Sequence, residues 1–286
     1  MNILSIQSHV SYGHVGNSAA VFALQRLGCE VWPVHTVTFS NHPGHGGFGG
    51  RVVDAGEVAS VIDGIARLGA LAQCDAVLSG YLGSPETGPV VLDAVLRARK
   101  ANKAMVYCCD PVLGDADSGL YVRDGLPQFM REPALQAADI LTPNHFELEY
   151  LSEAKVSTRN ELVSALRKLH GMGPKTILVT SVITSETPSE AVDIVASDGR
   201  FVHLVRTPRL GRTFNGAGDL LAALFLLHRL RRRSAAEALE VSVASVFGVL
   251  RRTLEKGARE LVLVEAQHEL VAPSGSFPVE IIASIA

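Results

Sequence analysis

The opening third of the chain alternates short apolar runs with longer amphipathic ones, and that alternation restricts the fold more than any motif does. Ile3–Ile6 reads as a buried strand that ends in polar Gln7-Ser8-His9. Gly16-Asn17-Ser18 caps an amphipathic run from Ala19 to Leu27, Gly28 stops it, and Glu30–Val37 is the next strand. Strand, helix, strand at this spacing is a βαβ unit, which implies a parallel sheet covered by helices. The pattern recurs as helix Ala55–Leu68, strand Ala76–Ser79, a helix opened by Ser84-Pro85 and running to about Lys100, and strand Met105–Cys109. Further on, Ile140-Leu141-Thr142 and Thr176–Thr180 read as strands, and Ala191–Ala196 with Arg200–Val205 as a hairpin turning at Asp198-Gly199. Capping boxes at Thr158-x-x-Glu161 and Ser234-x-x-Glu237 open two more helices, ended by Gly171 and near Glu255. The expected class is α/β: a central, mostly parallel sheet flanked by helices on both faces. No repeat, linker or composition break interrupts the 286 residues, so a single domain over residues 1–286 is expected.

Charge and composition exclude several functions. A net charge of −3 gives a nucleic-acid role no electrostatic support. The basic run Arg229, Arg231, Arg232 and Arg233 closes a helix, where cations suit the dipole. Cys29, Cys74, Cys108 and Cys109 follow neither metal nor disulfide spacing, which points to a reducing compartment. No run reaches the roughly 20 apolar residues of a membrane helix. The first residues lack a basic segment and a long apolar core, so a cytoplasmic protein is expected.

Ligands of open α/β sheets bind outside the carboxyl ends of the strands. Ser8 stands at one such end, Tyr81 of Gly80-Tyr81-Leu82-Gly83 at another. Residues 38–50 carry five glycines and a proline, which suits a flap over a substrate; His42 and His45 lack the further ligands that zinc needs. Asp110, Asp115 and Asp117 follow a strand, as turn residues or as neighbours of Mg²⁺, which uses one or two carboxylates and keeps its waters. Pro143-Asn144 starts a helix that carries Glu147. Gly216-Ala217-Gly218-Asp219 then precedes an apolar helical run. Two glycines let the backbone approach a ligand, and amides at a helix start suit phosphate. A carboxylate held beside them suits phosphoryl transfer to a hydroxyl, although a plain loop with a dipole-compensating aspartate fits the tetrapeptide equally well. There is no G-x-G-x-x-G after the first strand and no G-x-x-x-x-G-K-[ST], which excludes a P-loop kinase and argues against a dinucleotide oxidoreductase.

Six segments in order resemble the pyridoxal kinases of the ribokinase-like superfamily, most closely their bacterial Y-type branch. They are Ser8-His9-Val10 through Gly16-Asn17, Phe39-Ser40-Asn41-His42, Ser79–Gly83, Cys109–Asp115, Thr142-Pro143-Asn144 with Phe146-Glu147, and Gly216–Asp219, together spanning essentially the whole chain. The resemblance implies transfer of phosphate from MgATP to the 5′-hydroxyl of pyridoxal or a related B6 vitamer, activation by a monovalent cation such as K⁺, and a homodimer. It implies Asp219 as base and the backbone of Gly216, Ala217 and Gly218 as anion hole. Ser8, Val15, His42 and Tyr81 match the pyridoxal pocket, with Ser8 near the ring nitrogen. Asp110, Asp115 and Glu147 match the acidic group around Mg²⁺ and the phosphates. Thr142, Thr180, Ser181 and Leu210 match nucleotide contacts, and Tyr121 a lid over about Asp115 to Arg123.

Two positions depart from the family. Ala217 stands where threonine is usual, so weaker nucleotide binding is expected. Pro43 replaces a frequent threonine, removing one substrate hydrogen bond. A hydroxymethylpyrimidine or sugar kinase of the same superfamily and a non-catalytic pyridoxal 5′-phosphate carrier are the competing readings. The set Ser8, His42 and Tyr81 speaks against a sugar, and the acidic group with Asp219 against a carrier.

Overall fold

The computed structural model describes residues 1–285. Among these residues twelve strands are present: β1 Asn2–Val10, β2 Glu30–Phe39, β3 Gly50–Val52, β4 Ala76–Ser79, β5 Val106–Cys109, β6 Gly114–Asp115, β7 Gly119–Leu120, β8 Ile140–Leu141, β9 Thr176–Val182, β10 Ala191–Ser197, β11 Phe201–Pro208 and β12 Val279–Ser284. The helices are α1 Asn17–Arg26, α2 Ala55–Arg67, α3 Thr87–Ala101, α4 Leu126–Phe129, α5 Leu135–Ala137, α6 His145–Ser152, α7 Arg159–His170, α8 Ala217–Leu230, α9 Ala235–Glu255 and α10 His268–Val271.

Ten strands form one sheet in the order β12-β11-β10-β9-β8-β5-β4-β1-β2-β3. The six from β9 to β2 are parallel; β3 at one edge and β10, β11 and β12 at the other each pair antiparallel with their neighbours. Successive strand residues face opposite sides. Leu4, Val77 and Cys109 therefore pack with α2, α3 and α7 on one face, while Ile3, Leu78 and Cys108 pack with α1, α8 and α9 on the other. The expected mostly parallel sheet with helices on both faces is what the chain forms. Adjacent Cys108 and Cys109 serve different cores, and all four cysteines are free and buried.

The chain goes from β1 outward to β2, then returns to place β4 on the other side of β1. That reversal opens a crevice between the carboxyl ends of β1 and β4, the usual ligand position in such sheets. Ser8 lies in β1 and Tyr81 just beyond β4, so the two flank it.

Several boundaries differ from the sequence expectation. β1 runs through Ser8 to Val10, because pairing with β2 resumes at His9↔Thr38 after an irregularity. The expected flap over 38–50 is shortened for the same reason. Thr38 and Phe39 belong to β2, Gly50 to β3, and Pro43–His45 makes a single 3₁₀ turn. α1 starts at Asn17 with no side-chain cap. Asn17 instead sends its amide Nδ2 to the carbonyls of Val34 at 3.1 Å and Gln7 at 3.2 Å, tying α1 to two strands. Ser18 donates to the Val10 carbonyl at 2.7 Å. α3 starts at Thr87 without a side-chain cap, and Ser84 pairs with Glu86 ahead of it. The segment around Asp115 to Arg123 contains the β6–β7 hairpin.

Candidate active site

α8 begins without a side-chain cap, at Gly216 in the left-handed region with φ 85°. A Cβ on Gly216 would stand 1.8 Å from the His14 carbonyl oxygen, so only glycine lets the two backbones meet there. The first i−4 bond of the helix runs from the Leu220 amide to Gly216 O at 3.0 Å. The amides of Gly218 and Asp219 precede it and have no intrahelical partner. The Ala217 amide leans back on Phe214 O at 3.4 Å. A Cβ on Gly218 would meet nothing within 4 Å. The helix mouth is thus closed on the Gly216 side and open on the Gly218 side.

Asp219 sits in the first turn of α8, half-buried. Burial raises its carboxyl above the ordinary range, while the Gly16 amide and the His42 imidazole pull it back. A carboxylate with a raised pKa is a better proton acceptor once ionised. Gly16 itself has φ 52°, and a Cβ there would lie 2.3 Å from both the carbonyl oxygen and the Oγ of Ser8. Ser8 and Asp219 are therefore held on either side of one glycine. Val15 packs in a small cluster with Val10, Val37 and Phe39, and the Tyr81 ring lies against it. The Tyr81 carbonyl accepts from Thr36 Oγ1 at 2.6 Å, and burial raises its phenol while nearby Arg123 opposes the shift. His42 caps the 3₁₀ turn by accepting from the Gly44 amide at 3.1 Å; burial lowers its pKa, and the charges of Asp219 and Glu260 resist that.

The acidic residues form a second group beside the first. Thr142 Oγ1 donates to Asp110 Oδ1 at 3.0 Å. Burial, then the charges of Glu147 and Asp219, push the Asp110 carboxyl well above its usual range. Glu147 is committed to backbone: Oε2 accepts from Asn144 N, and Oε1 from Leu113 N, both at 2.8 Å. The first of these completes a capping box with Asn144 at the start of α6. Burial nevertheless pushes Glu147 up to about 7. Asp115 Oδ1 accepts from Ser118 N at 2.6 Å and so shapes the β6–β7 turn. Tyr121 is 51% exposed; partial burial, then the charges of Glu147, Asp115, Asp219 and Asp110, push its pKa up.

Among the described residues, no three His, Cys, Asp or Glu side chains gather as a metal group. The acids that do approach one another still suit Mg²⁺, which keeps its waters and takes one or two carboxylates. Their raised pKa values record repulsion and burial that a divalent cation would relieve. Asp110 has an oxygen beyond its Thr142 bond for this, whereas both Glu147 oxygens already hold amides.

The remaining nucleotide candidates lie along one rim. Thr180 donates its amide to Pro143 O at 3.0 Å and bridges to Asn144. Ser181 follows with φ 55°, and Leu210 is half-buried two residues beyond β11. The contacts of these three do not reach the acidic group directly. Glu260, which bonds both His45 and the His14 amide, was not visible from sequence. It lies far from both in the chain, and no local pattern marks it.

The profile of the phosphomethylpyrimidine kinase family matches residues 20–263. A pyridoxal kinase PdxY of Rubrobacter xylanophilus is 52% identical over 284 residues, covering 99% of this chain and 98% of the relative. One from Corynebacterium diphtheriae is 50% identical over 283 residues, covering 99% and 100%. Among solved structures, the pyridoxal kinase of Leishmania donovani in complex with ADP and pyridoxamine aligns with a TM-score of 0.92 at 28% identity, over 99% of each chain. Identity of this order over the full length, on a ribokinase-like sheet with an open helix mouth beside Asp219, means that the chain belongs to the pyridoxal kinase PdxY family, within the wider phosphomethylpyrimidine kinase family.

Proposed function

We propose that this chain transfers the γ-phosphoryl group of ATP to the 5′-hydroxyl of pyridoxal, giving pyridoxal 5′-phosphate. The observation that carries the reading is the α8 mouth: the helix opens without a side-chain cap, the space beside Gly218 is open, and the half-buried Asp219 carboxylate stands in the same turn. Phosphoryl transfer needs mainly positioning and charge neutralisation. The vitamer lies in the crevice between β1 and β4. Ser8 takes the ring nitrogen, Val15 and Tyr81 cover the ring, and His42 closes it from the flap. Asp219 accepts the hydroxyl proton as the oxygen attacks. The backbone of Gly216, Ala217 and Gly218 receives the transferring group; each donor in such a hole is worth about 3–4 kcal/mol.

ATP lies along the rim formed by Thr142, Thr180, Ser181 and Leu210, with Tyr121 over the phosphates. Asp110 would hold Mg²⁺, directly or through water, with Asp115 adding charge from the β6–β7 hairpin and Glu147 adding charge while fixing the backbone of Leu113 and Gly114. When bound, the ion neutralises phosphate charge. The flap (now residues 40–49) and the hairpin segment 115–123 exclude water during transfer. A monovalent cation, a homodimer, a single-domain chain and a cytoplasmic setting complete the proposal; among the described residues no helix is long and apolar enough to cross a membrane.

The family profile is described as phosphomethylpyrimidine kinase, which favours a methylpyrimidine, such as hydroxymethylpyrimidine or its phosphate, as the one second substrate class. One assay separates the readings: incubate the protein with MgATP and, in turn, pyridoxal, pyridoxamine, pyridoxine and hydroxymethylpyrimidine, and quantify the phosphorylated product. Turnover of pyridoxal is expected. Turnover of the pyrimidine alone would move the assignment, and no turnover with tight pyridoxal 5′-phosphate binding would make the chain a carrier.

A further inference from the structure

We infer that Glu260 is a positioning residue, a single carboxylate that holds the flap and the β1–α1 loop in register with the mouth of α8. Its Oε1 pairs with His45 Nε2 at the flap tip. Its Oε2 accepts from the His14 amide at 3.3 Å. The two side chains of the pair are 15% and 10% exposed, so the bond lies under the flap rather than at a solvated surface. Gly13, at φ 97°, packs so close that a Cβ would overlap the carboxylate, 1.9 Å from Oε2. The next residue, His14, turns its carbonyl onto Gly216 at the start of α8. One physical chain thus runs from the flap through Glu260 and His14 to the anion hole.

The flap is built to be held at one point. Ser40 Oγ accepts from Gly49 N, and Asn41 Nδ2 donates to Gly47 O, each at 2.8 Å. The Phe39 and Phe48 rings close its base at 4.2 Å. These bonds make it a unit, but between Pro43 and Gly50 every residue except His45 is exposed. Its tip carries no core contact to hold it down, so the His45–Glu260 pair is the anchor. A Cβ on Gly44 would stand 3.7 Å from Asn215 Nδ2, just ahead of α8, and His42 feels the charges of both Asp219 and Glu260, so the flap lies close to the α8 mouth. The Glu260 carboxylate bonds the His45 ring and the His14 amide, so its loss releases the flap and the β1–α1 loop together.

This inference deepens the kinase reading and rests on it for its kinetic part. The test uses the full chain with pyridoxal and MgATP, comparing wild type, Glu260→Ala, Glu260→Gln and His45→Ala, with hydrogen exchange of residues 40–49 measured without ligand. Misplacing a catalytic element by about 1 Å can cost about 10²-fold. Glu260→Ala is therefore expected to raise KM for pyridoxal by at least about tenfold while KM for ATP changes by less than about threefold. Exchange in 40–49 should speed up. Glu260→Gln, which keeps an acceptor for the His14 amide, should recover part of the loss. His45→Ala cuts the same anchor from the flap side and decides the matter if Glu260→Ala does not fold. A lowered melting temperature with unchanged pyridoxal KM and unchanged flap exchange would overturn the inference, as would no change in any readout. Absence of pyridoxal turnover by wild type would overturn the kinase reading instead, and the exchange data would still decide whether Glu260 holds the flap.

Discussion

Gly218→Val separates the two glycines of the α8 mouth by what each one does. At Gly218 the new side chain enters open space, since a Cβ there meets nothing within 4 Å. The position is the second residue of α8, where valine and glycine differ in helix propensity by only a few tenths of a kcal/mol, about 0.4. Stability should therefore change by less than about 1 kcal/mol. If the Gly218 amide receives the transferring phosphoryl group, the isopropyl group blocks its approach. Loss of one such donor costs about 3–4 kcal/mol, or about 10²–10³ in kcat. Gly216→Ala gives the opposite result. Its φ of 85° and the His14 oxygen 1.8 Å from the new Cβ strain the fold itself. A non-glycine residue in the left-handed region costs about 1–2 kcal/mol before any clash is counted. The assay pairs thermal melting with initial rates over an ATP titration at saturating pyridoxal. A Gly218→Val protein that melts like wild type and keeps wild-type ATP kinetics would refute the anion-hole assignment.

Three further outcomes follow from the same geometry. Asp219→Asn should keep pyridoxal binding and lower kcat by about 10²–10⁴-fold, the scale of a general base; a wild-type kcat would remove Asp219 from that role. Because burial raises the Asp219 carboxyl, the base is lost on acidification earlier than for an ordinary aspartate, so the acid limb of kcat/KM should lie above 3.8; a limb at or below that value would contradict the burial argument. His228, 4% exposed with both ring nitrogens unpartnered, has its pKa lowered by burial and by Arg233 and Arg231 from 6.5 to about 4. Between those values the unfolded chain binds a proton that the folded chain does not, so stability is full above 6.5 and falls with pH below it, by about 2 kcal/mol at pH 5. His228→Leu should shrink the drop in melting temperature between pH 8 and pH 5, and an equal drop in both proteins would sink the idea.

The parallel sheet was legible because βαβ punctuation is local: an apolar run, a cap, an amphipathic run and a stop lie within a few residues of one another. Positions at strand ends were legible for the same reason, since topology alone sends Ser8, Tyr81 and Asp110 to the carboxyl end of the sheet. Edge strands β3 and β12 were not, because a short half-exposed strand is defined by its partner rather than by its own pattern. Asn17 and Ser18 look like caps in sequence, yet the crevice needs their hydrogen bonds at β1 and β2, and tertiary demand wins. Asn144-x-x-Glu147 has the spacing of a capping box, but without β6 in view the carboxylate reads only as a member of an acidic group. Glu260 left no trace at all: its partners are 215 and 246 residues away.

Those separations also govern when the catalyst exists. Contacts between distant parts of a chain form late, because the intervening loop must close before they yield anything. Helices α1 to α9 close their backbone hydrogen bonds within their own segments, and can form while the first strand's loop is still unanchored. The bond between Glu260 and the His14 amide spans nearly the whole chain, and the α8 mouth rests on that same loop. During refolding, helical signal should therefore return ahead of phosphorylating activity, with competence arriving as one of the last events.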